Sequence, residues 1–210
     1  ILIKQEFLSI DCWILINQKT FRLSNSSFIF VKTITIPLNQ FKPKTIMNTS
    51  FYLEGFQKAA DRLDQKTLDE KSIEVAVGLY LDSVFLKLYK RSWSANPQEA
   101  LTAESRIFFS IWVNDTSIEK QRMMYNIHAL KLRKFKVYTI ESRKFAEVFR
   151  KSFKKYEEIW PNVTTNHGPL TLMEGWVTLN SENFQEEITE LTHKFLKIEY
   201  LIDDAFYQFE

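Results

Sequence analysis

Two alternating runs separated by two residues constrain this chain more than any other feature. Ile73-Glu-Val-Ala-Val-Gly-Leu-Tyr-Leu81 and Val84-Phe-Leu-Lys-Leu-Tyr-Lys-Arg-Ser-Trp93 flank Asp82-Ser83, and both place apolar side chains at every second position. Successive side chains leave a strand on opposite sides, so a period of two marks a strand with one face against a core. Two such runs with so short a connection read as an antiparallel hairpin. The turn lacks the Asn-Gly or Asp-Gly pair that would set its geometry.

Further runs extend the sheet. Arg106-Ile-Phe-Phe-Ser-Ile-Trp-Val-Asn114 reads as a third strand and Asn126 to Phe135 as a fourth, with Leu130 and Leu132 on one face and Lys131 and Arg133 on the other. Leu170 to Leu179 reads as a fifth, with an irregularity expected at Gly175. Three segments have helical spacing instead. Phe51, Leu53, Phe56, Ala59, Ala60 and Leu63 mark the first, which Asn48 is placed to cap. The second runs from Ser142, a candidate cap, to Trp160, before Pro161; Phe145, Val148, Phe149, Phe153, Tyr156, Ile159 and Trp160 share one arc and every charged residue lies outside it. The third is marked by Phe184, Ile188, Leu191, Phe195, Ile198 and Ile202, with acidic residues in its first turn.

The order α-β-β-β-β-α-β-α implies an α+β fold: a mostly antiparallel meander of about five strands packed with three helices. With 45% apolar and 15% aromatic residues, the 210-residue chain has material for a packed core. Residues 1–46 differ in texture, with scattered Ile, Phe, Lys, Asn and Ser. The first Met is Met47, so 1–46 is read as an N-terminal extension, upstream of the natural start in one reading, and 47–210 as a single domain.

Charge is unevenly distributed. The net charge is +2, yet residues 120–155 hold twelve Lys and Arg against two acids, and residues 156–210 hold two Lys against eleven acids. Arg143, Lys144, Arg150, Lys151, Lys154 and Lys155 form the basic patch of the second helix, either a solvated face or a surface for anions. Separating the strand faces by alternation gives a second concentration, where Tyr89, Arg91, Trp93, Phe108, Trp112, Lys131 and Arg133 mix rings with cations. Such a face can stack unpaired bases while neutralising phosphates, can bind a second copy of the chain, or can be ordinary core beneath a helix.

Several classes are excluded or disfavoured. Four glycines, Gly55, Gly78, Gly168 and Gly175, cannot build a glycine-rich phosphate loop. Cys12 is the single cysteine, so an internal disulfide or multi-thiolate metal site cannot form, which fits a reducing compartment and makes the cytoplasm the expected location. No apolar run is long enough to span a membrane, and Asp11 interrupts the apolar stretch near the N-terminus, so no signal peptide is expected. His128, His167 and His193 lie far apart, and neither a metal nor a cofactor is expected. His167 and Glu174, around the turn Asn166-His167-Gly168-Pro169, are the weak catalytic candidates as base and orienting carboxylate. Sequence alone therefore points away from an enzyme. It favours an interaction module that forms a homodimer through the aromatic and basic sheet face, in which case Trp112→Lys yields monomers. Binding of nucleic acid or another polyanion through Lys131, Arg133 and the helix 142–160 ranks second, and a small hydrolase using the His167 loop a distant third.

Overall fold

The computed structural model describes residues 47–135 and 140–209; the expected extension 1–46, with Cys12, lies outside them. The five expected strands form one antiparallel sheet in the order of the chain: β1 Glu74–Tyr80, β2 Ser83–Tyr89, β3 Arg106–Asn114, β4 Arg122–Leu130 and β5 Thr171–Thr178. Every neighbouring pair is antiparallel, from Val77 opposite Leu86 to Tyr125 opposite Gly175. The helices are α1 Thr49–Asp61, α2 Gln65–Glu70, α3 Asp115–Glu119, α4 Ser142–Phe153, α5 Phe184–Leu196 and α6 Tyr200–Tyr207. The fold is α+β, as the alternation and helical spacing imply, with more helices than the three expected.

The core lies on one side of this sheet. Val84, Leu86 and Leu88 of β2, Ile107, Phe109, Ile111 and Val113 of β3, and Met123, Tyr125, Ile127 and Ala129 of β4 are buried there with apolar residues of α1, α4, α5 and α6. Phe109 and Phe195 stack at 4.6 Å between ring centres, joining β3 to α5. Trp160 meets Phe109 at 5.9 Å, Tyr125 at 5.2 Å and Phe153 at 6.2 Å, so the segment after α4 closes over the same core. Removing rings this size from water supplies about 1.5–3 kcal/mol each, which makes this layer the main source of stability.

Local chemistry explains where expectation and structure part. Asn48 caps α1 as expected, its side-chain oxygen accepting the Phe51 N–H at 3.1 Å. Ser142 does not cap α4; it is the first helical residue, and Glu141 occupies the cap position without a side-chain hydrogen bond. Helix α4 also stops at Phe153, and a 3-10 segment, Lys154–Ile159, carries the chain to Trp160. The single expected C-terminal helix is two: Ile198 and Glu199 are both buried between α5 and α6, and Glu199 reaches cations from other elements. A carboxylate that must meet buried partners overrides an otherwise continuous apolar stripe.

The fourth strand is displaced from its expected position. It begins at Arg122 and ends at Leu130, because Lys131 takes a left-handed conformation with φ 47°. Leu130 therefore belongs to the outer face, and Leu132 reaches the core from a 3-10 turn, not from a strand. Gly175 pairs regularly with Tyr125, and the register shift falls at Ile127/His128 instead. Glycine is needed at 175 for another reason: a Cβ there would stand 2.2 Å from the Tyr125 hydroxyl, which crosses β5 to donate to the Pro161 carbonyl at 2.5 Å.

Candidate ligand-binding face

Among the described residues, none of the helices packs on the other side of the sheet. The pairing registers bring Phe85 opposite Trp112, Lys87 opposite Ser110, Phe108 opposite His128, and Ser110 opposite Asn126. Together with Tyr80, Arg106 and Leu130 these line an open concavity of about 450 Å³. The strand period puts them there: each is the alternate of a residue buried in the core.

The centre of the face is a ring with three basic groups around it. Phe108 keeps only 5% of its surface exposed although no described helix covers it. Lys87 Nζ lies 4.7 Å from its ring centre and 4.2 Å from that of Phe85, the Arg106 guanidinium lies 5.4 Å away, and the His128 ring meets it edge-on at 5.5 Å. Cations attracted to ring faces in this way hold their apolar stems over the aromatic surface.

These basic groups are electrostatically strained. Burial, with the neighbouring Arg106 charge adding to it, brings the Lys87 ammonium down to about 8. Burial likewise lowers Arg106. His128 is lowered by burial too, against the Leu170 carbonyl and Glu174, which raise it, while Lys87 and Arg106 push it further down. Among the described residues, neither Lys87 nor Arg106 has a carboxylate within ion-pair distance. The buried Arg106 Nε and Asn126 Oδ1 make no hydrogen bond.

The sequence-derived candidates scatter around this centre. Phe108 and half-buried Trp112 lie on the face itself. Tyr89 and Arg91 sit toward one end: the Tyr89 hydroxyl donates to Glu74 Oε2 at 3.0 Å, and Arg91 pairs with the same carboxylate and with the Pro97 carbonyl. Trp93 is a correction. It is fully buried in a 3-10 turn beyond β2, edge-on to Phe195 at 6.2 Å, and its indole N–H donates to Asp203 Oδ1 at 2.6 Å. The strand alternation ends at Tyr89, four residues short of Trp93, where the chain turns into the core. Lys131 and Arg133 are not strand residues either; both are exposed, and Lys131 with Lys134 holds Glu104, whose carboxyl they draw down to about 2.

The basic helix belongs to the opposite layer. Phe145, Phe149 and Phe153 of α4 enter the core, so Arg143, Lys144 and Lys151 point away from the sheet. Lys144 pairs with Glu141 at 2.7 Å and Lys154 with Glu157 at 2.6 Å, and the Lys155 ammonium lies 5.0 Å from the Tyr156 ring centre. Arg150 donates to the carbonyls of His167, Gly168, Thr171 and Leu172 at 2.8–3.1 Å, which makes it a tie for the loop before β5. Helix and aromatic face therefore do not form one continuous surface.

His167 and Glu174 are also apart in role. The His167 backbone is engaged with Arg150 and Thr165, and its buried Nε2 has no partner. Glu174 lies on the outer face of β5 opposite Asn126, and its charge acts on His128. No hydrogen bond or ion pair joins His167 to Glu174, and no group of acids, histidines and cysteines among the described residues could hold a metal ion. No family model, curated protein or solved structure matches this chain.

Asn126 and His128 are hidden as site residues when Leu130 and Leu132 are taken as one core face of the fourth strand; Arg106 and Ser110 lie on β3, whose phase is legible, but carry no ring to mark them. The signal was present in Met123-x-Tyr125-x-Ile127-x-Ala129, whose alternates are Met124, Asn126, His128 and Leu130. No described helix is long and apolar enough to cross a membrane.

Proposed function

We propose that this chain is a non-catalytic binding module whose sheet face opposite the described helices receives an anionic partner. The observation that carries this reading is the pair Lys87 and Arg106, half-buried over Phe108 with no carboxylate on either. Structural cations in the same molecule are paired: Lys90 with Glu199 and Asp203, Lys71 with Glu199, Arg91 with Glu74. A desolvated like-charge pair is unfavourable unless something of opposite sign arrives, and here the surrounding rings supply an apolar platform for it. Polyanion binding, if it occurs, uses this face and not α4, whose lysines are in part already neutralised.

The test is a reporter on the face itself. With lysines labelled by reductive ¹³C-methylation and histidines followed through their own ring C–H resonances, heparin fragments and oligothymidylate added at low salt are expected to shift the Lys87 and His128 signals, and neutral dextran is not. Silence of both signals toward every anion removes the reading.

Self-association is supported by a different region. Leu79, Tyr80 and Leu81 at the β1–β2 tip are 55%, 65% and 77% exposed, and β1 is an edge strand. An uncovered edge with an apolar tip is a pairing surface for a second copy. The cation-rich centre is a poor two-fold interface because like charges would meet, so a dimer would use the tip. Sedimentation should then show a dimer that Leu79→Asp dissociates and Trp112→Lys leaves intact.

A further inference from the structure

The outer face has a centre more specific than its overall charge. Lys87 and Arg106 stand on adjacent strands on either side of Phe108, and Lys87 makes no hydrogen bond or ion pair among the described residues. Arg106 donates through one terminal nitrogen to the Ala103 carbonyl, which leaves its buried Nε–H without an acceptor. Beside them Asn126, 2% exposed, has a side-chain oxygen without a donor. Buried polar atoms are nearly always satisfied, and an Arg106 N–H without an acceptor beside a Lys87 without a carboxylate calls for a ligand that brings an anionic acceptor. The walls are flat and apolar, chiefly Phe85, Trp112 and Leu130, and the volume of about 450 Å³ is that of a small-molecule site.

We propose that this concavity binds a carboxylate carried on a flat apolar body, with the carboxylate against Lys87 and Arg106 and the body against Phe85 and Trp112. The proposal rests on the anion-binding reading above and narrows it. A monoanion is favoured over a phosphate dianion because Glu174 faces His128 from β5, so the cluster offers about two positive charges with an acid at its rim. The groups that face Lys87 are Tyr80 on β1, Arg106 on β3 and His128 on β4, with Glu174 behind His128. The carboxylate can come from a free aromatic acid or from the C-terminus of a peptide ending in an aromatic residue; the recognition chemistry is the same.

Calorimetry on the full chain separates these sources, using 2-naphthoate against 2-naphthamide and a peptide ending in free Phe against its C-terminal amide. At least one acid is expected to bind more tightly than its neutral counterpart by roughly tenfold to a hundredfold, the range for a charge-assisted hydrogen bond. Lys87→Met should remove that preference while leaving the neutral counterpart's affinity unchanged, and Phe85→Ala should weaken acid and amide alike. Lys87 is not in the core, and the thermal midpoint of Lys87→Met confirms that the variant folds. Preference for naphthoate identifies a free acid, and preference for the peptide acid alone identifies a chain terminus. Equal affinity for acid and amide in both pairs overturns the proposal. If oligothymidylate still shifts the Lys87 signal in that case, the anion-binding reading survives without it.

Discussion

The two faces of this sheet are built from the same strands and the same kinds of residue, yet they solve opposite problems. On the helical side, Phe109, Phe195, Trp160 and Tyr125 interlock beneath the helices; the Tyr125 hydroxyl donates to the Pro161 carbonyl, while the buried Trp160 indole N–H makes no hydrogen bond. On the open side Phe85 and Phe108 meet the cations Lys87 and Arg106 instead of described helices, and Arg106 Nε and Asn126 Oδ1 find no partner. Aromatic content does not distinguish a core from a site; what the rings pack against does, other rings and helices on one side and cations without a carboxylate on the other. The helical side is what completed packing looks like, and the open side is arranged for something that arrives later.

The sharpest way to break this comparison is to delete one ring from each side. Phe109→Ala leaves a cavity beneath α5 and is expected to cost about 3–5 kcal/mol in chemical denaturation. Trp112→Ala, opposite Phe85 on the open face, should cost under about 1 kcal/mol because much of its surface is already in water. Comparable losses at the two positions would mean that the open face is core after all.

A smaller effect tests the boundary between the faces, where Trp93 dips into the core. Its indole N–H donates to Asp203, Lys90 bridges Asp203 and Glu199, and Lys71 completes the cluster, tying the end of β2 to α6. Burial alone would pull the Lys90 ammonium down; the hydrogen bonds it donates to Asp203 and Glu199 outweigh that and raise it. Trp93→Phe keeps the packing against Phe195 and removes the donor, so a loss of about 1.5–3 kcal/mol in urea unfolding is expected, the usual range for hydrogen bonds to charged groups. No change would show that the ring and not the hydrogen bond holds this corner.

Much of this architecture could be read from the chain. Alternation at 73–93 and 106–114 locates three strands and most of their core-facing residues, except that Leu79 and Leu81, expected in the core, are exposed at the hairpin tip and Trp93 is buried; the helical spacing at 51–63 and 142–160 locates α1 and α4, which ends at Phe153. What escaped reading had specific causes. The short helices α2 and α3 carry no apolar stripe long enough to show a period; their signals are caps, Asp64 accepting from Lys66 N–H and the reciprocal Asn114–Ser117 box. The end of β4 depends on Lys131 adopting a positive φ, which composition does not announce. Because strand faces alternate, taking Leu132, which reaches the core from a 3-10 turn, as in phase with Leu130 assigns Leu130 to the core face and Asn126 and His128 with it. Register thus hides the β4 part of the site, whereas Phe108 and Trp112 are legible because β3 reads in the right phase.

The hairpin tip gives a smaller prediction. Leu81 stands at φ 42° in the two-residue turn between β1 and β2, where the Asn-Gly signal was absent. A left-handed conformation costs an L-residue with a Cβ about 1–2 kcal/mol, and glycine avoids most of it while adding entropy to the unfolded chain. Leu81→Gly is expected to stabilise a monomer by about 1 kcal/mol. If sedimentation shows a dimer that this variant disperses, an exposed and strained leucine has been retained for contact with a second copy, which would place a second binding region beside the open face.

Smallest in energy, and most direct for the comparison between faces, is the pH response of Lys87. Its folded-state value lies near 8, below the ordinary lysine value of 10.5, because burial and Arg106 disfavour the charged form. Below pH 8 the ammonium is charged in folded and unfolded chains alike and the folded state bears the full penalty. Between about 8 and 10.5 the unfolded chain holds the proton that the folded chain has released, so the stability of the native protein rises with pH relative to Lys87→Met. At pH 7 the variant should therefore be the more stable of the two, by under about 1 kcal/mol once solvent screening of this half-exposed group is allowed for. A bound anion reverses the sign: it favours the ammonium, so binding takes up a proton above pH 8 and affinity falls as pH rises through that value. A lysine that weakens the empty protein and strengthens the occupied one is placed for its ligand, whereas denaturation curves showing Lys87→Met less stable at pH 7 would make Lys87 part of the packing.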